Sequence, residues 1–261
     1  MTGLDGSQVL ITGAGGQLAL PVALDLARTN DVWAVARFSN PAVRQRLEDA
    51  GVHCVPVDLA APDWTGLPDV DHVLHFAADI VGDDYDRAIQ VNAEGTGLLL
   101  QRFCDATSAL VVSSTVVYDL NEDPEHRFAE TDPLGDSMPL FGRTYPVSKI
   151  SQEAVARMAS RAFGLPVTIA RMNLSYGANG GLPAYQLDAL RRGDKVTVAD
   201  HDTFHNPIHQ DDVIASIPRL LAAATSPATV TNWAGNDTVS MREYCRLLGE
   251  LVGVEPEFEE L

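Results

Sequence analysis

Short apolar runs alternate with longer amphipathic stretches along most of the chain. Runs rich in Val, Leu and Ile predict strands at Gln8–Ile11, Val32–Ala36, Val52–Val57, His72–Phe76, Leu110–Ser113 and Val167–Ala170. Apolar positions spaced by three and four predict helices over Gln17–Thr29, Pro41–Ala50, Tyr85–Phe103 and Tyr145–Phe163. Strands this apolar, alternating with helices, belong to a parallel sheet covered on both faces. Right-handed crossovers then make the fold class α/β, a doubly wound parallel sheet.

Past residue 170 the rhythm becomes irregular. A Gly/Asn loop is read at Tyr176–Gly181, helices at Ala184–Arg192, Asp211–Ala224 and Met241–Val252, and strands at Lys195–Val198 and Thr229–Trp233. The expected organisation is a nucleotide-binding unit over residues 1–170. Residues 171–261 should form mainly a smaller substrate-binding lobe, interleaved with late elements of the sheet. The loop of about 30 residues before Tyr145 is too long for a plain connector. The polar ending VEPEFEEL points to a chain that continues further.

Composition narrows the function. The net charge of −18 opposes phosphate backbones and anionic lipid, so no nucleic-acid or membrane partner is expected. There is no run of 18 apolar residues and no secretory leader, and the three cysteines are far apart. A reduced cytoplasm suits such a chain.

Against that global charge, the first strand runs into TGAGGQLA. Gly13 permits the tight turn and Gly16 a close backbone approach to a pyrophosphate. Ala19 permits helix–strand packing, and Gln17 and Leu18 open the helix whose N–H groups meet the phosphates. The second strand ends at Arg37, where an acidic residue would hold the ribose 2′-hydroxyl of NAD. A guanidinium there favours NADP over NAD. Asp58, followed by Leu59, is placed to reach the adenine. Ala77 and Ala78 are small where the fourth strand passes the cofactor.

The fifth strand ends in three hydroxyls, Ser113, Ser114 and Thr115, at the edge where doubly wound sheets bind ligands. The helix opening at Tyr145 carries Lys149 on the same face, one turn on. Hydride transfer at a carbinol carbon needs a proton moved to or from oxygen. Tyrosine, with a pKa near 10, becomes a base only if a neighbouring cation favours the phenolate. Tyr145 is therefore read as acid/base, Lys149 as its activator and ribose ligand, and Ser114 as the group that orients the substrate oxygen.

With these residues the chain resembles the extended short-chain dehydrogenase/reductase family, the NAD(P)-dependent epimerase/dehydratase group with a Rossmann fold. The matching stretches are TGAGGQLA, VDL, HFAAD, VNAEGT, SSTVVY, YPVSK, ARMNLSYG, NPIHQDDV and NWAG. The resemblance implies Ser114, Tyr145 and Lys149 as catalytic, Asn92 beside the cofactor, and Thr115 and Asn173 on the substrate side. It also implies a homodimer through the two long helices. The family's nucleotide-sugar enzymes often carry an arginine before the IHVDD-like segment, where it meets a diphosphate. Here that segment reads FHNPIHQDD, which shifts the expected substrate towards a small carbonyl, polyol or other sugar-type molecule. The alternatives are a nucleotide-sugar epimerase or dehydratase using NAD, and a cofactor-sensing protein without turnover.

His201, His205 and His209 are spaced by four, but Pro207 interrupts any helix through them, so no metal site is expected. Asp211 or Asp212 is read as the N-cap of the following helix. His75 at a strand end is read as structural.

Overall fold

A computed structural model describes residues 4–135 and 142–260. The long loop expected before Tyr145 therefore falls partly outside the described residues. Seven strands form one sheet, with every neighbouring pair parallel. They are β1 (Gln8–Thr12), β2 (Asp31–Ala36), β3 (His53–Pro56), β4 (His72–His75), β5 (Ser108–Ser114), β6 (Val167–Met172) and β7 (Thr229–Trp233). Their spatial order is β7-β6-β5-β4-β1-β2-β3. The order reverses between β1 and β4, and at such a point the crevice at the carboxyl ends opens.

Alternation along the strands sends side chains to two cores. Val9 and Ile11 of β1, and Leu110 and Val112 of β5, enter the first core. There they meet α1 (Ala19–Leu26), Leu47 of α2 (Pro41–Asp49) and α7 (Gln210–Ala222). Leu10, Ala109 and Val111 enter the second, against α4 (Gly95–Arg102) and α5 (Tyr145–Phe163). Each of the seven residues of β5 is buried, so this strand carries its terminal serines into a dry environment.

The segment read as one helix from Tyr85 to Phe103 contains α3 (Tyr85–Ile89) and α4, joined by a π-turn at Gln90–Glu94. The first helix is shorter than expected. Gly16 donates to the Gly13 carbonyl at 2.8 Å, so Gln17 and Leu18 belong to the turn and α1 begins at Ala19. The Tyr176–Gly181 loop is a small hairpin of Ser175–Gly177 against Gly180–Gly181. It also pairs with Ile208–His209. α6 (Leu182–Arg192) and α8 (Met241–Val252) pack on Val196–Val198 around a separate core of Leu190, Tyr244 and Cys245. α7 starts at Gln210 and its cap is His209, whose Nδ1 accepts from Asp211 N–H at 3.3 Å. Asp211 and Asp212 sit in the first turn instead, where their charge suits the helix dipole. No helix among the described residues is long and apolar enough to cross a membrane.

Candidate active site

A cavity of about 400 Å³ opens at the reversal point. Its walls include all nine of Gly13, Gly16, Gln17, Leu18, Arg37, Asp58, Leu59, Ala77 and Ala78. Gly13 has φ +69°, and a Cβ there would stand 2.8 Å from the Ala77 backbone. At Gly16 a Cβ would come within 3.0 Å of the Gly13 carbonyl oxygen. Bare backbone is thus required where β1 turns past β4, and the groove it leaves fits a pyrophosphate. Gly13→Ala is expected to destabilise the fold by about 1–3 kcal/mol, through backbone strain and overlap with Ala77. Urea denaturation measures this, and an unchanged midpoint would show that the turn relaxes freely.

At the far end of the cavity, Arg37 follows Ala36 at the close of β2, and no carboxylate occupies that strand end. Asp58 pairs with Arg87 at 3.5 Å and receives Ala60 N–H at 3.0 Å. The Ala60 hydrogen bond first, then the nearby Arg87 and Arg37 guanidinia, hold the Asp58 carboxyl below its usual range.

The other end is walled by Asp79 and Ile80. Gly142 packs against Ile80, a Cβ there falling 2.2 Å from the Ile80 carbonyl oxygen. Its own carbonyl accepts Tyr145 N–H at 3.2 Å, so α5 begins beside the cavity. Tyr145 is half-buried and hydrogen-bonds the Ser114 side chain. Burial pushes the phenol up to about 12, with the Ser114 bond acting the other way. Lys149 is fully buried, and its Nζ lies 5.9 Å from the Tyr145 ring centroid. Burial brings its ammonium down to about 7, against the pull of Glu153. Burial is the larger influence on the phenol, and it favours the protonated form.

Asn92, Tyr145 and Lys149 are not among the cavity walls. Three of the four hydrogen-bonding positions of the Asn92 amide are filled. Its Oδ1 accepts Asp79 N–H at 2.7 Å, and its Nδ2 donates to the Asp79 carbonyl at 2.8 Å and to Ser148 Oγ at 2.9 Å. Asn92 thus pins the cavity wall to α5 instead of reaching into the cavity. On the substrate side, Asn173 Oδ1 accepts two backbone N–H groups, from Leu174 and Asn206. Its Nδ2 donates to Thr115 Oγ1 at 3.4 Å. Asn173 therefore ties the Asn206 backbone to the end of β6, and Thr115 stands beside it.

A buried ion pair joins α5 to β6. Arg171 on β6 donates to both Glu153 carboxylate oxygens, at 2.9 and 2.8 Å. Ser113 donates to the same carboxylate at 2.7 Å, so the first of the three hydroxyls is taken by the scaffold. The signal was present in the spacing: Tyr145, Lys149 and Glu153 fall at successive intervals of four. The three spaced histidines part company. His201 bonds Asp200, His205 pairs with Val239 in a short antiparallel ladder, and His209 caps α7.

The family model described as NAD dependent epimerase/dehydratase family matches residues 9–232. A dTDP-4-dehydro-6-deoxy-D-allose reductase of Streptomyces bikiniensis is 26% identical over 95% of this chain and 82% of that protein. A hybrid PKS-NRPS synthetase of Hapsidospora irregularis is 31% identical over 65% of this chain, which spans only 4% of that protein's length. Among solved structures, UDP-glucuronic acid 4-epimerase from Bacillus cereus, in complex with UDP-glucuronic acid and NAD, has a TM-score of 0.82. It is 21% identical, with 97% of this chain and 86% of that one covered, a likeness of fold.

Proposed function

This chain belongs to the NAD dependent epimerase/dehydratase family, and on that premise we propose an oxidoreductase whose hydride transfer takes place at a carbon bearing oxygen. The observation that carries the reading is a cavity at the glycine turn that opens beside the start of α5, where Tyr145 bonds Ser114 of β5 and Lys149 lies one turn on. Bound in the cavity, a nicotinamide dinucleotide supplies the hydride donor or acceptor. Gly13, Gly16, Gln17 and Leu18 would hold its pyrophosphate, Asp58 and Leu59 would reach its adenine, and Ala77 and Ala78 would leave room where β4 passes it. Ser114 Oγ orients the substrate oxygen. Tyr145, protonated through the ordinary pH range, delivers its proton to that oxygen in the sense of reduction. Lys149 stabilises the phenolate left behind.

The substrate is a small carbonyl or sugar-type molecule. A nucleotide-sugar substrate is the second reading, favoured by the named activities of the Streptomyces reductase and the Bacillus epimerase. NADP is proposed over NAD because Arg37, not an acid, follows β2 on the cavity wall. A cytoplasmic homodimer completes the proposal. Leu98 of α4 and Met158 and Phe163 of α5 leave apolar surface exposed on two neighbouring helices.

Titration with NADPH and NADH tests the reading. The wild-type protein is expected to bind NADPH more tightly, and Arg37→Asp to lose about tenfold or more of that affinity through the lost charge-assisted bond. Tighter binding of NADH by the wild type would overturn the assignment of Arg37. Binding of neither would overturn the cofactor reading itself.

A further inference from the structure

When protonated, Lys149 lies at the end of a buried chain of hydrogen bonds in which every member has one possible direction. An ammonium can only donate. The Gln152 atom that faces Lys149 Nζ is therefore Oε1, and the amide Nε2 points away, to Thr96 Oγ1 at 3.0 Å. Thr96 donates its single proton to the Asn92 carbonyl at 2.6 Å, so towards Gln152 and His75 it can only accept. His75 Nε2, 2.7 Å from Thr96 Oγ1, must then carry the ring proton. His75 Nδ1 is left as an acceptor for the Thr12 hydroxyl at 2.7 Å, and Thr12 Oγ1 in turn accepts Ala77 N–H at 3.1 Å. Thr12, His75, Thr96, Gln152 and Lys149 are all buried. No water is needed to complete any of these bonds. Burial, with Lys149 adding to it, holds the imidazole down to about 3, in keeping with a neutral ring.

We propose that Gln152 is the positioning residue for Lys149, its amide aimed by the Thr12–His75–Thr96 chain that begins beside Gly13 of the glycine turn. Lys149 Nζ donates to the Val112 carbonyl at 2.6 Å and to Gln152 Oε1, which leaves one N–H. With two of its three protons fixed, the third has a set direction. The wall of the cofactor cavity and the lysine that serves Tyr145 thus share one rigid connection, from Ala77 to Nζ. This assignment rests on the role proposed for Lys149. The titratable groups that face the lysine are His75 from β4 and Tyr145 and Glu153 from its own helix. β5 offers the Val112 carbonyl, and the π-turn and α4 offer Asn92 and Thr96, none of which titrates.

The chain has two lysines, Lys149 and Lys195, so the ammonium can be watched directly. Protein labelled with 13C at lysine Cε should give two resonances, and Lys195→Arg identifies the exposed one. In the wild type the Lys149 signal is expected to titrate near neutrality. Gln152→Glu places a carboxylate against Nζ and should raise that midpoint by about one pH unit or more. Gln152→Met removes the acceptor and should lower it. Thr96→Val frees the Gln152 amide to turn and should lower it by less. A structural role alone would reduce stability without moving the titration. A Lys149 midpoint unmoved by Gln152→Glu and Gln152→Met overturns the assignment of Gln152. One moved by these but not by Thr96→Val overturns the aiming chain. Gln152→Glu, nearly the same size as the native residue, keeps the test open if the methionine variant does not fold. Failure of the wild type to bind NADPH or NADH would remove the proposed function, while this titration still decides what holds Lys149.

Discussion

Replacing Tyr145 with phenylalanine is expected to lower kcat by about 10²–10⁴-fold, the range of a positioned acid/base. That is about 3–5 kcal/mol of transition-state stabilisation. Cofactor affinity should change little, because Tyr145 is not among the cavity walls. The ring is retained, so the packing at the start of α5 is kept, and only the hydroxyl that bonds Ser114 is lost. Loss of reduced-nicotinamide absorbance measures the hydride step. The pH dependence adds a second expectation. With the phenol pushed up to about 12 by burial, the reductive rate should show no loss of the acid form through neutral pH. A Phe variant with full turnover would remove Tyr145 from the chemistry. It would leave the protein as a cofactor-binding one whose reaction, if any, lies elsewhere.

The parts of this site that could be read from the sequence are those set by local geometry. The glycine turn follows a strand and precedes a helix, and only small residues fit there, so Gly13 and Gly16 announce themselves. Tyr145 and Lys149 share a helix face because of their spacing, whatever that helix packs against. Ser114 closes an apolar strand, and strand ends are where sheets of this kind present their ligand sites. What was not legible depends on partners distant in the chain. Asn92 and Asn173 look like free amides in a sequence, yet both are occupied by backbone groups far away or across a turn. The effect of Lys149 on Tyr145 also could not be read. Its sign follows from the charges, but its weight depends on how dry the site is. His209 as a cap was hidden by two aspartates of better capping propensity two and three positions after it.

Loss of the Arg171 guanidinium should have the largest effect on stability. Glu153 and Arg171 are both almost wholly inaccessible and joined by two charge-assisted bonds. Arg171→Met would leave the Glu153 carboxylate with the Ser113 hydroxyl and, at 3.9 Å, the half-exposed Arg157. An uncompensated buried charge of this kind costs about 3–5 kcal/mol. Urea denaturation should show that loss. The double variant Glu153→Leu/Arg171→Met should recover much of it, since a buried pair replaced by apolar groups is often neutral. The guanidinium also donates to the Glu130 carbonyl at 3.1 Å and lies over the Tyr118 ring at 4.8 Å. Tyr118 bonds Asn232, and Asn232 holds the Phe128 carbonyl and the Glu130 carboxylate. The pair thereby anchors the segment that follows Ser114 over the ends of β5, β6 and β7. The double variant should accordingly regain stability without regaining this anchor, and its KM for the carbonyl substrate should rise while cofactor affinity stays near that of the wild type. Recovery of KM together with stability would show that packing alone holds the segment, and that the arginine has no part in shaping the substrate side.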